Sequence, residues 1–216
     1  ANLTVTYMIE GEGPVTKTRS VPAGGRQSCS MADDIGAKDA SVTIESDSAQ
    51  VPIIVERAMY RNNRREGHGS VGTPSASKTF YLAEGTTGYG FTTYVLVQNP
   101  NPGPATVTLS YMTKSGARPQ PAMTLPANSR KTVRVNDVAG MQDQDFSTKV
   151  TGSLPIIAER AMYWGEGTPL GEACHASVGM QEAHSAFYLP DGETSGGYET
   201  WTCVQNPNPD PVKIEV

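Results

Sequence analysis

One passage of this chain is written twice. Val51-Pro-Ile-Ile-Val-Glu-Arg-Ala-Met-Tyr60 returns as Leu154-Pro-Ile-Ile-Ala-Glu-Arg-Ala-Met-Tyr163. Other pairs keep the same order: Gln98-Asn-Pro-Asn-Pro102 with Gln205-Asn-Pro-Asn-Pro209, Phe80-Tyr-Leu82 with Phe187-Tyr-Leu189, and Ser70-Val-Gly72 with Ser177-Val-Gly179. Upstream, Leu3-Thr-Val-Thr-Tyr-Met8 matches Val107-Thr-Leu-Ser-Tyr-Met112, and Val21-Pro-Ala23 matches Leu125-Pro-Ala127. The period is about 105 residues, the size of one small domain, so the chain must build the same unit more than once.

The texture within one period is that of strands. Thr106 to Met112 alternates, with Val107, Leu109 and Tyr111 on one side and Thr106, Thr108 and Ser110 on the other. That is the period of a half-buried strand. Phe91–Gln98 is a β-rich run closed by Asn-Pro-Asn-Pro, and Ser115-Gly116 marks a turn. Ala122–Leu125 and Lys131–Val135 are short strands on either side of Pro126-Ala-Asn-Ser129, Phe146–Thr151 alternates again, and Leu154–Tyr163 is the longest strand. Such spacing predicts an all-β fold of tandem immunoglobulin-like antiparallel β-sandwiches.

The copies do not start where the chain starts. Residues 1–63 read as a first repeat lacking its opening strands, 79–164 as a complete second repeat, and 186–216 as the opening strands of a further one. The Gly-, Ser- and charge-rich segments 64–78 and 165–185 read as linkers or surface loops. A unit missing a strand exposes unpaired edges. Three arrangements satisfy them: the tail completes its own head, it completes the head of a neighbouring molecule, or the piece belongs to a longer array. Ala1–Val5 and Val212–Val216 match the same strand and compete for one slot.

Composition narrows the function. The net charge is −5, and Arg61, Arg64 and Arg65 form the only basic cluster, which argues against nucleic-acid binding. No apolar run reaches the ~18 residues of a membrane span. No signal peptide is legible, so the chain reads as a mature product or an excised piece.

Glu-Arg-Ala-Met-Tyr, Phe80-Tyr-Leu-Ala-Glu-Gly-Thr-Thr87 and the Gln-Asn-Pro strand end together resemble tandem repeats of secreted actinobacterial and related bacterial surface proteins. The resemblance covers nearly the whole chain. It implies an extracellular or cell-wall location and multi-copy arrays, and carries no catalytic residues with it. The second copy departs from the pattern at Pro190-Asp-Gly-Glu-Thr194, which replaces Ala83-Glu-Gly-Thr-Thr87, and in having Cys174.

Candidate chemistry is thin. Glu56-Arg57 and Glu159-Arg160 lie in the longest strand of each copy, where adjacent residues point to opposite faces. Their expected role is structural, each charge meeting a partner on a neighbouring strand or at the junction of copies. His68 and His175 are matched, but Glu66 and Cys174 are their only nearby candidate ligands and are not equivalent; His184 has no counterpart. Zinc normally takes three or four protein ligands, so no metal is expected there. Ser70 with His68 lacks any nucleophile-elbow context. The acidic loops Asp33-Asp34…Asp39 and Asp137…Asp143…Asp145 match in position; Asp137, Asp143 and Asp145 are weak calcium candidates, against which capping of a short helical turn is preferred. Tyr60, Tyr94, Tyr163, Trp164, Tyr198 and Trp201 offer either core packing or a sugar-stacking platform. Of the three cysteines, Cys174 and Cys203 are a candidate disulfide and Cys29 is left over.

The expectation is a non-enzymatic, extracellular structural or spacer array at a bacterial cell surface. It needs no cofactor, its partners are other copies of the same repeat, and head-to-tail assembly by strand exchange into a filament is one of the three ways its open edges can be met. The rival is an adhesion module that binds carbohydrate, with cell-wall glycan as its partner.

Overall fold

In the computed structural model, which describes residues 1–165 and 172–215, the chain is almost entirely antiparallel β-structure. It opens with β1 (Asn2–Ile9), β2 (Val15–Ser20), a one-turn helix α1 (Met31–Ile35) and β3 (Ala40–Ser46). β1 lies between β2 and β3, placing Val5 opposite Lys17 and Ile44, and Tyr7 opposite Val15 and Val42. Val5, Tyr7 and Ile9 form a small core closed by Val15, Met31, Ile35, Ala40 and Ile44. The helical turn is capped by the Ser30 hydroxyl, not by an aspartate, and stops at Gly36, whose φ of 74° suits glycine. Asp34 in its first turn accepts a 2.6 Å hydrogen bond from the Tyr7 hydroxyl and pairs with Arg19. Next come β4 (Glu56–Arg61) and β5 (Glu66–Val71), a separate hairpin. Its turn holds Asn62, Asn63 and Arg64 at positive φ, a conformation asparagine tolerates better than arginine.

The central unit follows: β6 (Ser77–Leu82), β7 (Thr92–Asn99), β8 (Ala105–Thr113), β9 (Gly116–Pro119), β10 (Met123–Leu125), β11 (Ser129–Arg134), β12 (Phe146–Trp164) and β13 (Ala173–Val178). β12 joins everything. Its first half pairs with β8 on one edge and β6 on the other; its second half pairs with β7 and β13. The register shifts between Thr151 and Ile156. Gly152 lies at this irregularity, where a Cβ would sit 2.6 Å from the Leu154 carbonyl oxygen. The two strands expected at 146–151 and 154–163 are therefore one continuous strand. Phe80, Leu82, Val107, Leu109, Tyr111 and Val150 from the first half's neighbourhood meet Val95, Val97, Ile156 and Ala158 from the second in a single core. β11 extends the second group beyond β7, and β9 and β10 extend the first beside β8.

Two expectations need correction. The segments 64–78 and 165–185 are not merely linkers, because they contain β5 and β13. Hydrophobic periodicity missed β5 because its inward positions are Glu66 and His68, alternating with exposed glycines. Second, residues 186–215 form no strand, and they complete neither the head nor a sheet of their own within this molecule.

Candidate assembly interface

The matched segments adopt matched registers. β1 pairs β3 with Val5 opposite Ile44, and β8 pairs β12 with Leu109 opposite Val150. β4 pairs β5 with Met59 opposite His68, and β12 pairs β13 with Met162 opposite His175. The head thus contains counterparts of β8, of both halves of β12 and of β13. Among the described residues no strand matching β6 or β7 pairs with it. The edges of β3 and β4 that those strands would cover are free among the described residues. The consequence is exposure: Met162 is 1% exposed, whereas Met59 is 41% exposed.

Each hairpin carries an arginine–histidine pair in the same place. Arg160 Nη2 donates to His175 Nδ1 at 2.9 Å, and Arg57 Nη2 to His68 Nδ1 at 3.3 Å. An arginine only donates, so each Nδ1 is the accepting nitrogen and the proton sits on Nε2. In the central unit that Nε2 faces Glu84 at 3.5 Å, and Glu84 also receives Arg160 Nη1. Burial pushes the Glu84 carboxyl up, but hydrogen bonding from His175 and the Arg160 charge outweigh it and hold it at about 2. Glu84 is fixed by its neighbour: a Cβ on Gly85 would lie 2.6 Å from the Phe146 ring, and the Gly85 carbonyl accepts from Phe146 N–H at 2.8 Å. Only glycine lets the chain approach that ring.

In the head the corresponding carboxylate is missing. Arg57 turns instead to Glu159 of the central unit, donating from Nη1 at 2.9 Å and Nη2 at 2.8 Å. His68 Nε2 lies 3.2 Å from the Tyr163 hydroxyl, and burial, then the Arg57 charge, lowers its affinity for a proton. Alongside, Arg61 pairs with Glu172 at 2.9 Å and with Glu66 at 3.5 Å; the hydrogen bond between the Glu172 and Glu66 carboxyls pushes Glu172 up, against the Arg61 charge. β5 packs beside β13, so this charged seam joins head to central unit. A second joint lies on the β7–β11 side. Gln98 donates to Met8 Sδ at 3.3 Å and Thr43 Oγ1 at 2.9 Å, and Glu10 accepts from Thr132 and pairs with Lys131.

The tail repeats small features of the β6–β7 region without pairing. Asn206 donates to the Asp210 carbonyl at 2.8 Å as Asn99 does to Gly103 at 2.9 Å. Asn208 N–H donates to Asn206 Oδ1 at 3.0 Å as Asn101 does to Asn99 at 3.1 Å. Tyr198 N–H reaches the Ser195 carbonyl as Phe91 N–H reaches Gly88, and Thr200 reaches the Glu193 carbonyl as Thr93 reaches Thr86. Gln205 sits against Met112 (4.0 Å) and the Thr148 carbonyl (3.4 Å), much as Gln98 sits against Met8 and Thr43. Yet Phe187 is 57% exposed where its match Phe80 is 0% exposed.

The remaining candidates scatter. Asp137 pairs with Arg134 at 3.3 Å, and Asp143 and Asp145 are exposed; no three metal-ligating side chains converge among the described residues. All three cysteines are free, so the bridge expected between Cys174 and Cys203 is not formed. Burial pushes both thiols up, which keeps them protonated. Tyr94 and Tyr163 meet edge to face, and Phe91 stacks on Trp164; Tyr60, Tyr198 and Trp201 stand exposed elsewhere, so the aromatics form no single platform. His184 pairs loosely with Glu182, and Glu56 is exposed. Sequence reasoning missed the role of Glu84. Its signal was an acidic residue two positions after each Phe-Tyr-Leu, Glu84 in one copy and Asp191 in the next.

No family model and no curated protein matches the chain. Among solved structures it is similar to a Thermotoga maritima protein, 1070, at 9% identity and a TM-score of 0.45, covering 50% of this chain and 96% of that one. It is also similar to the Anabaena sensory rhodopsin transducer, at 23% identity and a TM-score of 0.35, covering 39% of this chain and 95% of that one. No helix among the described residues is long and apolar enough to cross a membrane.

Proposed function

We propose that this protein is a non-enzymatic structural array of β-sandwich units at a bacterial surface, extended head to tail by strand exchange. The tail of one molecule supplies the β6–β7 pair that the head of another lacks. One observation carries this reading: head and tail dock on different strands of the central unit. The head rests on β7 and β11 through Gln98 and Glu10, while the tail rests on β8 and β12 through Gln205. A tail that stays in its seat can still receive a neighbour's head. The composite unit then meets the central unit through the same glutamine–methionine joint that already links head and centre. Sheet-edge pairing between chains is a general route to such polymers. The likeness of the Glu-Arg-Ala-Met-Tyr and Phe-Tyr-Leu-Ala-Glu-Gly-Thr-Thr motifs to secreted bacterial repeats supports the extracellular setting.

Size-exclusion chromatography with light scattering tests it. Mass should climb with concentration for the full chain and stay monomeric for a chain ending at Ala186. A monomer at every concentration for both chains would refute the proposal. The exposure of Tyr188, Tyr198 and Trp201 also suits a sugar-binding module. Calorimetric titration of assembled protein with cell-wall glycan fragments separates the two, since strand exchange covers these rings and predicts no heat.

A further inference from the structure

We propose that the seam between β5 and β13 holds a calcium-binding site, with the Glu66 and Glu172 carboxylates as its charged ligands. The site stands whether or not chains assemble, and it lies apart from the acidic loop of Asp137, Asp143 and Asp145.

Two carboxyl groups from different parts of the fold meet there. Glu66 opens β5, and Glu172 stands just before β13. They lie within hydrogen-bonding reach of each other. Such a contact closes only with a proton or a metal cation in it, because two bare carboxylates repel. Asn62 Nδ2 donates to both groups, to Glu66 Oε1 and to Glu172 Oε2. Arg61 supplies one positive charge: its Nη2 reaches Glu172 at 2.9 Å, and its Nε stands 3.5 Å from Glu66 Oε2. Two negative charges thus face one positive charge. Glu66 is the less satisfied of the pair. Its side chain is 1% exposed, and its buried Oε2 has no hydrogen-bond partner. Leaving a buried carboxylate oxygen in that state is costly. Glu66, Glu172 and Arg61 line a cavity of about 30 Å³ together with Thr92, Tyr163 and Trp164. That is room for a single ion or water and not for a polyatomic ligand.

The donor set selects the cation. No third carboxylate, histidine or cysteine converges with these two among the described residues, so the other ligands are neutral oxygens. Zinc prefers imidazole and thiolate. Magnesium keeps several of its waters, which so small a cavity does not hold, whereas calcium takes carboxylate, amide and hydroxyl oxygens in a forgiving geometry. Asn62 already sits between the two carboxylates. A half-turn of its amide exchanges Nδ2 for Oδ1 and converts a donor into a ligand. Thr92 brings a hydroxyl to the same cavity. Arg61 is the competitor for the site. Its side chain is 39% exposed, its hold on the carboxylates is that of a water-reached pair, and it can withdraw into solvent when the metal enters. Bound calcium ties the β4–β5 hairpin to the start of β13 and tightens the joint between head and central unit.

Equilibrium dialysis of the full, chelator-treated chain against radioactive calcium measures the site, and thermal unfolding reads its effect on the fold. The chain should take up calcium with a Kd on the order of 0.1–1 mM, the range of weak extracellular modules. Its melting temperature should rise with calcium and not with sodium chloride of equal ionic strength. Glu66→Gln keeps the shape of the side chain and removes its charge; Glu172→Gln does the same at the more exposed partner. Each should weaken uptake roughly tenfold or more, since ligand charge sets the affinity of such sites. Arg61→Gln removes the competing cation and should tighten uptake. Melting curves without calcium show whether each variant folds, and if Glu66→Gln does not, Glu172→Gln decides. No uptake by the original chain leaves a proton in the contact and overturns the site, even if Arg61→Gln binds. Uptake that survives both Glu66→Gln and Glu172→Gln belongs to another part of the molecule and overturns it as well.

Discussion

The head and the central unit carry the same strand sequences in the same registers, yet only one of them is closed. In the central unit β12 has neighbours on both edges along both halves, and Val150, Ile156, Ala158 and Met162 are almost wholly buried. In the head the matching residues lie in β3, in the segment before β4, or in β4, and each strand has one neighbour. Ile54 is 94% exposed, whereas its match Ile157 packs half-buried against the central core. The difference shows what β6 and β7 contribute. They are the two strands that convert a pair of half-covered sheets into a unit with a shared core. Alternation along a strand specifies which face is apolar, but burial needs the covering strands.

Head and central unit should differ most at the aromatic residue that β6 inserts into the core. Phe80 is fully buried and its match Phe187 is mostly exposed. Phe80→Ala should cost about 3–5 kcal/mol in urea unfolding, the range for a buried aromatic lost from a packed core. Phe187→Ala should change the monomer by less than about 0.5 kcal/mol, as exposed positions do. Equal effects would mean that the tail packs as the central strand does, contrary to its exposure.

The Asn-Pro-Asn-Pro turns refine this further. Asn99 is buried and its amide donates to the carbonyls of Leu125, Pro126 and Gly103, while its oxygen accepts from Asn101. Asn206 keeps only the local part of that network. Asn99→Ala should cost about 1–3 kcal/mol through the carbonyls it leaves unsatisfied. Asn206→Ala should cost a few tenths of a kcal/mol before assembly. Differential scanning calorimetry of the two variants measures the gap.

Much of this was legible in the sequence. Strands with apolar alternation were read to within a residue or two, as with β8 at Ala105–Thr113 against the expected 106–112. The repeat itself marked 187–209 as the segment that matches β6 and β7 in sequence. What escaped was whatever hydrophobicity does not mark. β5 and β13 present Glu66, His68 and His175 where an apolar residue would have announced a strand, because their partners are arginines and not core side chains. Glu84 was visible only as part of a motif, since its partners are 76 residues or more away along the chain. The fusion of two expected strands into β12 was hidden by Gly152 and Pro155, which read as a break but sit in one continuous bent strand.

The two arginines give a smaller contrast. Arg160 has 6% of its side chain exposed, and its loss leaves Glu84 without its cation. Arg160→Ala should cost about 1–3 kcal/mol, the lower part of the range for breaking a buried pair because Glu84 is partly solvated. Arg57→Ala, at a pair reached by water, should cost about 0–1 kcal/mol in the monomer. Chemical denaturation checks both. A reversed order would place the stronger cluster in the head.

The histidine of the seam gives the gentlest effect and sets a direction with pH. Burial and the Arg57 charge make folded His68 harder to protonate than an ordinary histidine. The unfolded chain therefore binds a proton there first as pH falls below about 6.5. Stability should decline from that point downward, and level off once pH has passed the folded value, at a slope of at most ~1.4 kcal/mol per pH unit for one proton. Protonation places a hydrogen on Nδ1, against the Arg57 guanidinium, so the seam between β5 and β13 should loosen while the central core stays intact. Glu84 adds nothing in this window, because its carboxyl, held at about 2, gives up its contribution only as pH falls from its ordinary range of about 4.5 toward that value. Hydrogen exchange at pH 7.5 and pH 5.5, each rate divided by the intrinsic rate at that pH, should show lower protection at pH 5.5 in residues 66–71 and unchanged protection in β8. The substitution His68→Gln removes the titrating group and should abolish the difference. If β8 accelerated equally, the head and the central unit would be opening as one cooperative body, and the seam would not be a separable joint.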